Sequence, residues 1–157
     1  PVRSDGHGIP GNEGVDRDQR IERFHMPYHA AIEQAVRLYR PRLVVAIHSF
    51  TPRLASDGQE RPWQVGILYN QDSRAAHRAI TALRDRGLIT GDNEPYSGRD
   101  LNATLNRHAE AHGIPSMSVE VRNDLIADDT GVAEWTAILS DVIAGMQGNF
   151  VQRGTRR

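Results

Sequence analysis

Two ionisable residues stand near the ends of short apolar runs. His48 lies in "VVAIHSFTP", Val44 to Pro52, where a buried strand would be expected to stop on a turn residue. Glu120 lies in "SMSVEVR", Ser116 to Arg122, which alternates polar and apolar residues as a strand does. An imidazole can ligate a metal, although a histidine near a strand end is more often hydrogen-bonded structure. Glu120, between Val119 and Val121, faces solvent on a simple alternating pattern, with Arg122 two residues along the same face.

Other histidine spacings are weaker signals. His25 and His29 are four apart, a chelating distance on a helix, but Pro27 lies between them and spoils the regular geometry; a structural role is the better reading. In "HAEAH", His108 to His112, the glutamate is in the wrong place for an H-E-x-x-H zinc helix. The serines offer no G-x-S-x-G elbow, and there is no G-x-x-x-x-G-K-[ST] phosphate loop. "GDNEPYSG" reads as a surface turn.

Composition narrows the classes. The chain has 157 residues, 38% hydrophobic and 25% charged, enough for one domain with a real core. Its net charge of −1 gives no footprint for a phosphate backbone, which argues against a nucleic-acid partner. With no cysteine, thiolate metal sites, disulfides and a cysteine nucleophile are excluded, and a cytoplasmic setting is compatible. No apolar run approaches the ~20 residues that cross a bilayer, and no signal pattern opens the chain. The first residue is proline rather than methionine, so a processed start or a piece of something longer is expected.

The elements that must position His48 and Glu120 follow from periodicity. The glycine- and proline-rich residues 1–16 read as loop or linker. Asp16 and Gln19 resemble a capping box opening a helix that Pro27 ends or kinks. A second helix follows, with Tyr28, Ile32, Ala35, Val36 and Tyr39 on its apolar spacing. Strands are expected at Leu43–Phe50, Gln64–Tyr69, over "LITGDN" and at Ser116–Arg122. Asp72 or Ser73 caps a helix that Gly87 stops, Leu101–His112 forms a helix closed by Gly113, and Asp129 or Thr130 caps a last one with an apolar stripe from Val132 to Met146. Strands alternating with helices imply crossover connections and a mainly parallel sheet. Ligands in such sheets gather beyond the carboxyl ends of the strands, which would bring His48 and Glu120 to one rim, in neighbouring strands or with one strand between.

The ordered segments "IPGNEG", "FHMPYHAAI", "AIHSFTP", "RPWQVGILYN", "GDNEPYSG", "RHAEAHGIP" and "VEVRNDLI" together resemble the N-formylglutamate amidohydrolase family in its broad sense, from about Ile9 to about Ile143. The resemblance implies a three-layer α/β/α sandwich around a mainly parallel or mixed sheet, similar to zinc carboxypeptidase-like hydrolases. It implies metal-dependent hydrolysis of the C–N bond of an N-formyl or other small N-acyl amino acid, such as N-formyl-L-glutamate, to formate and glutamate. Carried over, it makes His48 a ligand of a divalent metal, zinc first, and Glu120 the acid/base carboxylate. Arg122, Arg99 and Arg53 become candidates to hold a substrate carboxylate, and Asn93 and Tyr96 candidate wall or oxyanion-side residues of the site.

The family's opening "PH-G-G" histidine motif, its metal-binding carboxylate and its "D-x-N-R" arginine are missing. The expected organisation is therefore a linker over 1–16, the C-terminal part of one α/β domain over 17–148, and a polar tail over 149–157. One protein ligand where a catalytic zinc takes three predicts a poor metal site and a poor enzyme for the chain alone. A non-catalytic small-ligand domain, or an incomplete structural fragment with an exposed sheet edge, are the other readings. The residues fix no oligomeric state.

Overall fold

The computed structural model describes residues 3–4, 7–8, 10–54, 58–147 and 150. Within the expected linker, β1 (Arg3–Ser4) and β2 (His7–Gly8) pair antiparallel. Asp16 then caps α1 (Arg17–Arg20), its carboxylate accepting from the Asp18 and Gln19 amides at 2.9 and 3.1 Å.

Pro27 neither ends the helix nor breaks it. A π-helical turn at Ile21–His25, closed by the Met26 amide on the Ile21 carbonyl, leads directly into α2 (Met26–Tyr39). A proline ring clashes with the carbonyl four residues back, and the proline sits in the first turn after this wider one. The helix stops at Arg40, which takes a left-handed conformation.

The main sheet contains β3 (Val44–Phe50), β4 (Val65–Leu68), β5 (Thr90–Asp92) and β6 (Ser116–Arg122), in the spatial order β3-β6-β4-β5. β3 is parallel to β6 and β5 to β4, while β4 and β6 are antiparallel. The sheet is therefore mixed, and the expected adjacency of the strands carrying His48 and Glu120 is met without an intervening strand.

One face packs on α3 (Arg74–Arg84) and α6 (Asp129–Gln147). Ile67, Met117, Val119 and Val121 meet Ala75, Ala79, Ile80 and Leu83 of α3 and Trp135, Val142 and Met146 of α6 in one buried cluster. Of the expected polar tail only Phe150 is described, and it belongs to this core. Burying side chains of this size supplies about 1.5–3 kcal/mol each, which is what fixes β6 in the middle of the sheet.

The other face carries Ser118, Glu120 and Gly66. The expected helix over Leu101–His112 is instead α4 (Gly98–Leu101), α5 (Ala103–His108) and a 3-10 turn at Glu110–His112. The break falls at Asn102, whose Nδ2 donates to the Leu68 carbonyl at 3.2 Å and ties the segment to the sheet. α5 then packs against β6 and α2. The cap of α6 also lies one residue earlier than expected: the Asp128 carboxylate accepts from the Gly131 amide at 2.8 Å.

Candidate active site

His48 and Glu120 are register partners across the parallel β3–β6 ladder, and Gly66 is the partner of Glu120 across the antiparallel β6–β4 ladder. Gly91 pairs with Gly66 in turn. Register partners point to the same face, and neighbouring strands lie ~4.8 Å apart, so His48, Glu120, Gly66 and Gly91 form one row across the sheet. The two glycines are required by what lies above them. A Cβ on either would collide with the backbone of Glu94, so the Glu94–Pro95 tip of the loop between β5 and α4 rests on the sheet beside Glu120.

That loop is held by Asn93. Its backbone is left-handed (φ 53°), and its Oδ1 accepts from the Tyr69 and Gly98 amides, both at 3.0 Å. The Asn93 side chain thus ties the loop to the end of β4 and the start of α4. Gly98 is the third close approach, since a Cβ there would strike the Tyr69 backbone.

Glu120 is buried, with 8% of its surface exposed, against the plain expectation of a solvated strand residue. Its burial raises its pKa from 4.5 to about 7, because a low-dielectric surrounding disfavours the charged form. Among the described residues it has no hydrogen-bond or ion-pair partner, and no buried side-chain oxygen is both sealed from solvent and unpaired. The carboxyl therefore keeps access to water while most of the side chain is enclosed. His48, in contrast, is exposed on the outer strand, beside Ile47 with 55% of its surface exposed, and it too lacks a partner among the described residues.

The next row toward the strand ends pairs Phe50 with Arg122. Arg122 shares the face of Glu120, and its Nε donates to the Asp124 carboxylate at 2.8 Å. Arg61, which the sequence did not single out, is buried at this row. Its guanidinium lies over the Phe50 ring at 5.9 Å and over the Tyr96 ring at 5.0 Å, and its Nη1 donates to Thr51. Tyr96 is thereby brought to the same rim. Arg53 lies on an exposed bridge with Glu60, to which its guanidinium donates at 2.6 Å. Arg99 is exposed on α4. The geometry so groups His48, Glu120, Arg122 and Tyr96, and leaves Arg53 in an ion pair of its own.

The other histidine pairs have separate roles. His29 Nδ1 and His108 Nε2 are 2.7 Å apart in a buried contact between α2 and α5, and the His25 ring lies 4.2 Å from that of His29. Glu110 of "HAEAH" accepts from Asn70 Nδ2 and from the Gln71 and Asp72 amides, so it caps the turn before α3. A cavity of about 1480 Å³ between α3 and α6 opens at the other end of the sheet, near Pro41 and Pro115, and contains neither His48 nor Glu120.

Among the described residues no three His, Asp or Glu side chains converge to hold a metal ion. Catalytic zinc takes three protein ligands, and this face offers one exposed imidazole with a carboxyl beside it. The described residues do not by themselves fit a complete metal site.

The fold is thus a mixed-sheet α/β architecture that encloses a carboxyl of near-neutral pKa on its loop-covered face. The chain belongs to the N-formylglutamate amidohydrolase family, whose model matches residues 2–127. It is similar to the Atu2144 gene product of Agrobacterium tumefaciens, with 32% identity and a TM-score of 0.78 over 92% of this chain and 60% of that one. It also shares its fold with the N-formylglutamate amidohydrolase of Ralstonia eutropha JMP134, with 18% identity and a TM-score of 0.63 over 85% of this chain and 53% of that one. The chain thus spans little more than half the length of these solved relatives. No curated protein sequence matches it. No described helix is long and apolar enough to cross a membrane.

Proposed function

We propose that the protein carrying this chain hydrolyses the amide bond of an N-formyl or other small N-acyl amino acid, with N-formyl-L-glutamate as the reference substrate. The observation that carries this reading is the Glu120 carboxyl, buried beside His48 with no partner among the described residues and raised to about 7. A group with that pKa is close to evenly divided between acid and base at neutral pH, which suits general acid/base work. As carboxylate, Glu120 accepts a proton from the water that attacks the acyl carbon. As carboxylic acid, it returns the proton to the nitrogen as the C–N bond breaks, leaving formate and a free amine. Arg122 holds a substrate carboxylate, exchanging its exposed partner Asp124 for it at little cost. Arg99 and Arg53 are weaker candidates for the same task, and Asn93 and Tyr96 wall the site.

The proposal includes a divalent metal, zinc first, with His48 as one ligand and its other protein ligands outside the described residues. An ion held there would supply Lewis acidity to a bound water. The reading places the reaction in the cytoplasm and involves no nucleic acid.

The incomplete donor set favours one alternative, a small-ligand domain that keeps the fold without the reaction. Assaying formate and amine release from a panel of N-acyl amino acids, with metal analysis of the same sample, separates the two. Release from N-formyl-L-glutamate with bound metal supports hydrolysis. Binding of the panel without release supports the alternative.

A further inference from the structure

The tip Glu94–Tyr96 rests on the sheet face beside Glu120, and something must hold it there. Asn93 fixes the base of the loop through the Tyr69 and Gly98 amides, and the glycine row gives it room, but neither acts on Tyr96. The contact at that end of the tip is Arg61. Its Cζ lies 5.0 Å from the Tyr96 ring centroid and 5.9 Å from that of Phe50. Its Nη1 donates to the Thr51 carbonyl at 3.3 Å and to the Thr51 hydroxyl at 3.1 Å. Phe50 is the last residue of β3, two positions beyond His48 on the same face. Arg61 therefore joins the end of the His48 strand to the loop over Glu120. Only 6% of its surface is exposed, so this cation is a built part of the interior rather than a solvated side chain.

We infer that Arg61 is a positioning residue: it clamps Tyr96 against the Phe50 end of β3 and so holds the 93–97 loop as the wall of the Glu120 site. A guanidinium over an aromatic face is attracted by the ring quadrupole, most strongly where water is excluded. Arginine is suited to this because its planar group lies on a ring face while its edge donates to Thr51. Releasing the clamp leaves the fold's main core untouched, since neither Phe50 nor Tyr96 belongs to the α3–α6 cluster. It frees the loop tip instead.

The kinetic part of the test rests on the hydrolysis proposed above; the exchange part does not. In the protein carrying this chain, Arg61→Gln is expected to speed backbone hydrogen exchange in peptides spanning 92–98 by roughly 3- to 30-fold, the size of a desolvated cation–π contact, with exchange in α3 and α6 unchanged. kcat/KM for N-formyl-L-glutamate is expected to fall by a similar factor. Arg61→Lys keeps a cation over the rings and should recover part of both effects. In a Tyr96→Leu background, Arg61→Gln should cost nothing further, because the clamp has already lost its partner. If Arg61→Gln does not fold, Arg61→Lys with and without Tyr96→Leu gives the cycle with a smaller effect, and the effect of Arg61→Lys should still disappear in the Tyr96→Leu background. Unchanged exchange at 92–98, or losses from Arg61 and Tyr96 variants that simply multiply, would overturn the clamp. Failure of the parent to release formate would instead remove the hydrolase reading and leave the exchange result to decide the clamp.

Discussion

Glu120→Gln should make the metal-free protein more stable above neutral pH, and the effect should vanish in acid. The side chain keeps its size and hydrogen-bonding groups and loses only the ability to ionise. A carboxyl raised from 4.5 to about 7 stabilises the folded state when protonated and penalises it when charged. The sign follows from proton counting: between those two values the folded state binds more protons than the unfolded one, so stability declines as pH rises through this window. Below 4.5 both states are protonated and Glu and Gln should behave alike. Above 7 the full penalty applies, with an upper bound of about 3 kcal/mol for such a rise. Water reaches this carboxyl, and screening reduces the figure to about 1–2 kcal/mol. Urea unfolding in the presence of a chelator, at pH 4 and pH 8, reads the difference between parent and variant. A gap of that size at pH 8 that closes at pH 4 supports the buried carboxyl. A variant that is no more stable than its parent at pH 8 would refute it.

The His29–His108 contact gives the opposite pH dependence. Burial and the nearby Arg107 hold both imidazoles below 6.5, so their contribution is intact above 6.5 and is lost as pH falls below it, where the unfolded chain takes up protons first; His108→Gln should lessen this acid loss in urea midpoints measured at pH 7.5 and 5.5. Gly66→Ala should cost about 1–3 kcal/mol, because its methyl meets the Glu94 carbonyl, and unchanged urea stability would contradict the loop's seat on the sheet. Asn93→Ala removes the acceptor of two backbone amides and should cost about 1–3 kcal/mol, visible as faster exchange at the Tyr69 and Gly98 amides.

The main sheet was legible in the sequence because its strands are short, β-branched and bounded by turn residues, and the register of His48 with Glu120 follows once β3 and β6 are neighbours. The burial of Glu120 was not legible. Alternation identifies a solvated face only when one side of a sheet is open, and β6 is an inner strand with both faces covered, so Ser116, Ser118 and Glu120 are buried along with Met117, Val119 and Val121. The loop over the sheet depends on Gly66 and Gly91, which lie 25 positions apart and which local propensity reads only as flexible. Arg61 escapes a sequence reading for a similar reason, since its partners Phe50 and Tyr96 come from a strand end and a separate loop. The helix break at Asn102 and the early cap at Asp128 are side-chain bonds to backbone, which periodicity does not report.

In the proposed reaction the Glu120 carboxyl moves the proton in amide hydrolysis. The direct measurement is turnover of N-formyl-L-glutamate by the protein carrying this chain and by its Glu120→Gln variant, with metal content measured on both. Loss of general acid/base help is worth about 10²- to 10⁴-fold, so kcat should fall by that order while metal content stays equal. A variant that turns over N-formyl-L-glutamate as fast as its parent would contradict the claim and leave Glu120 a buried carboxyl without a catalytic part.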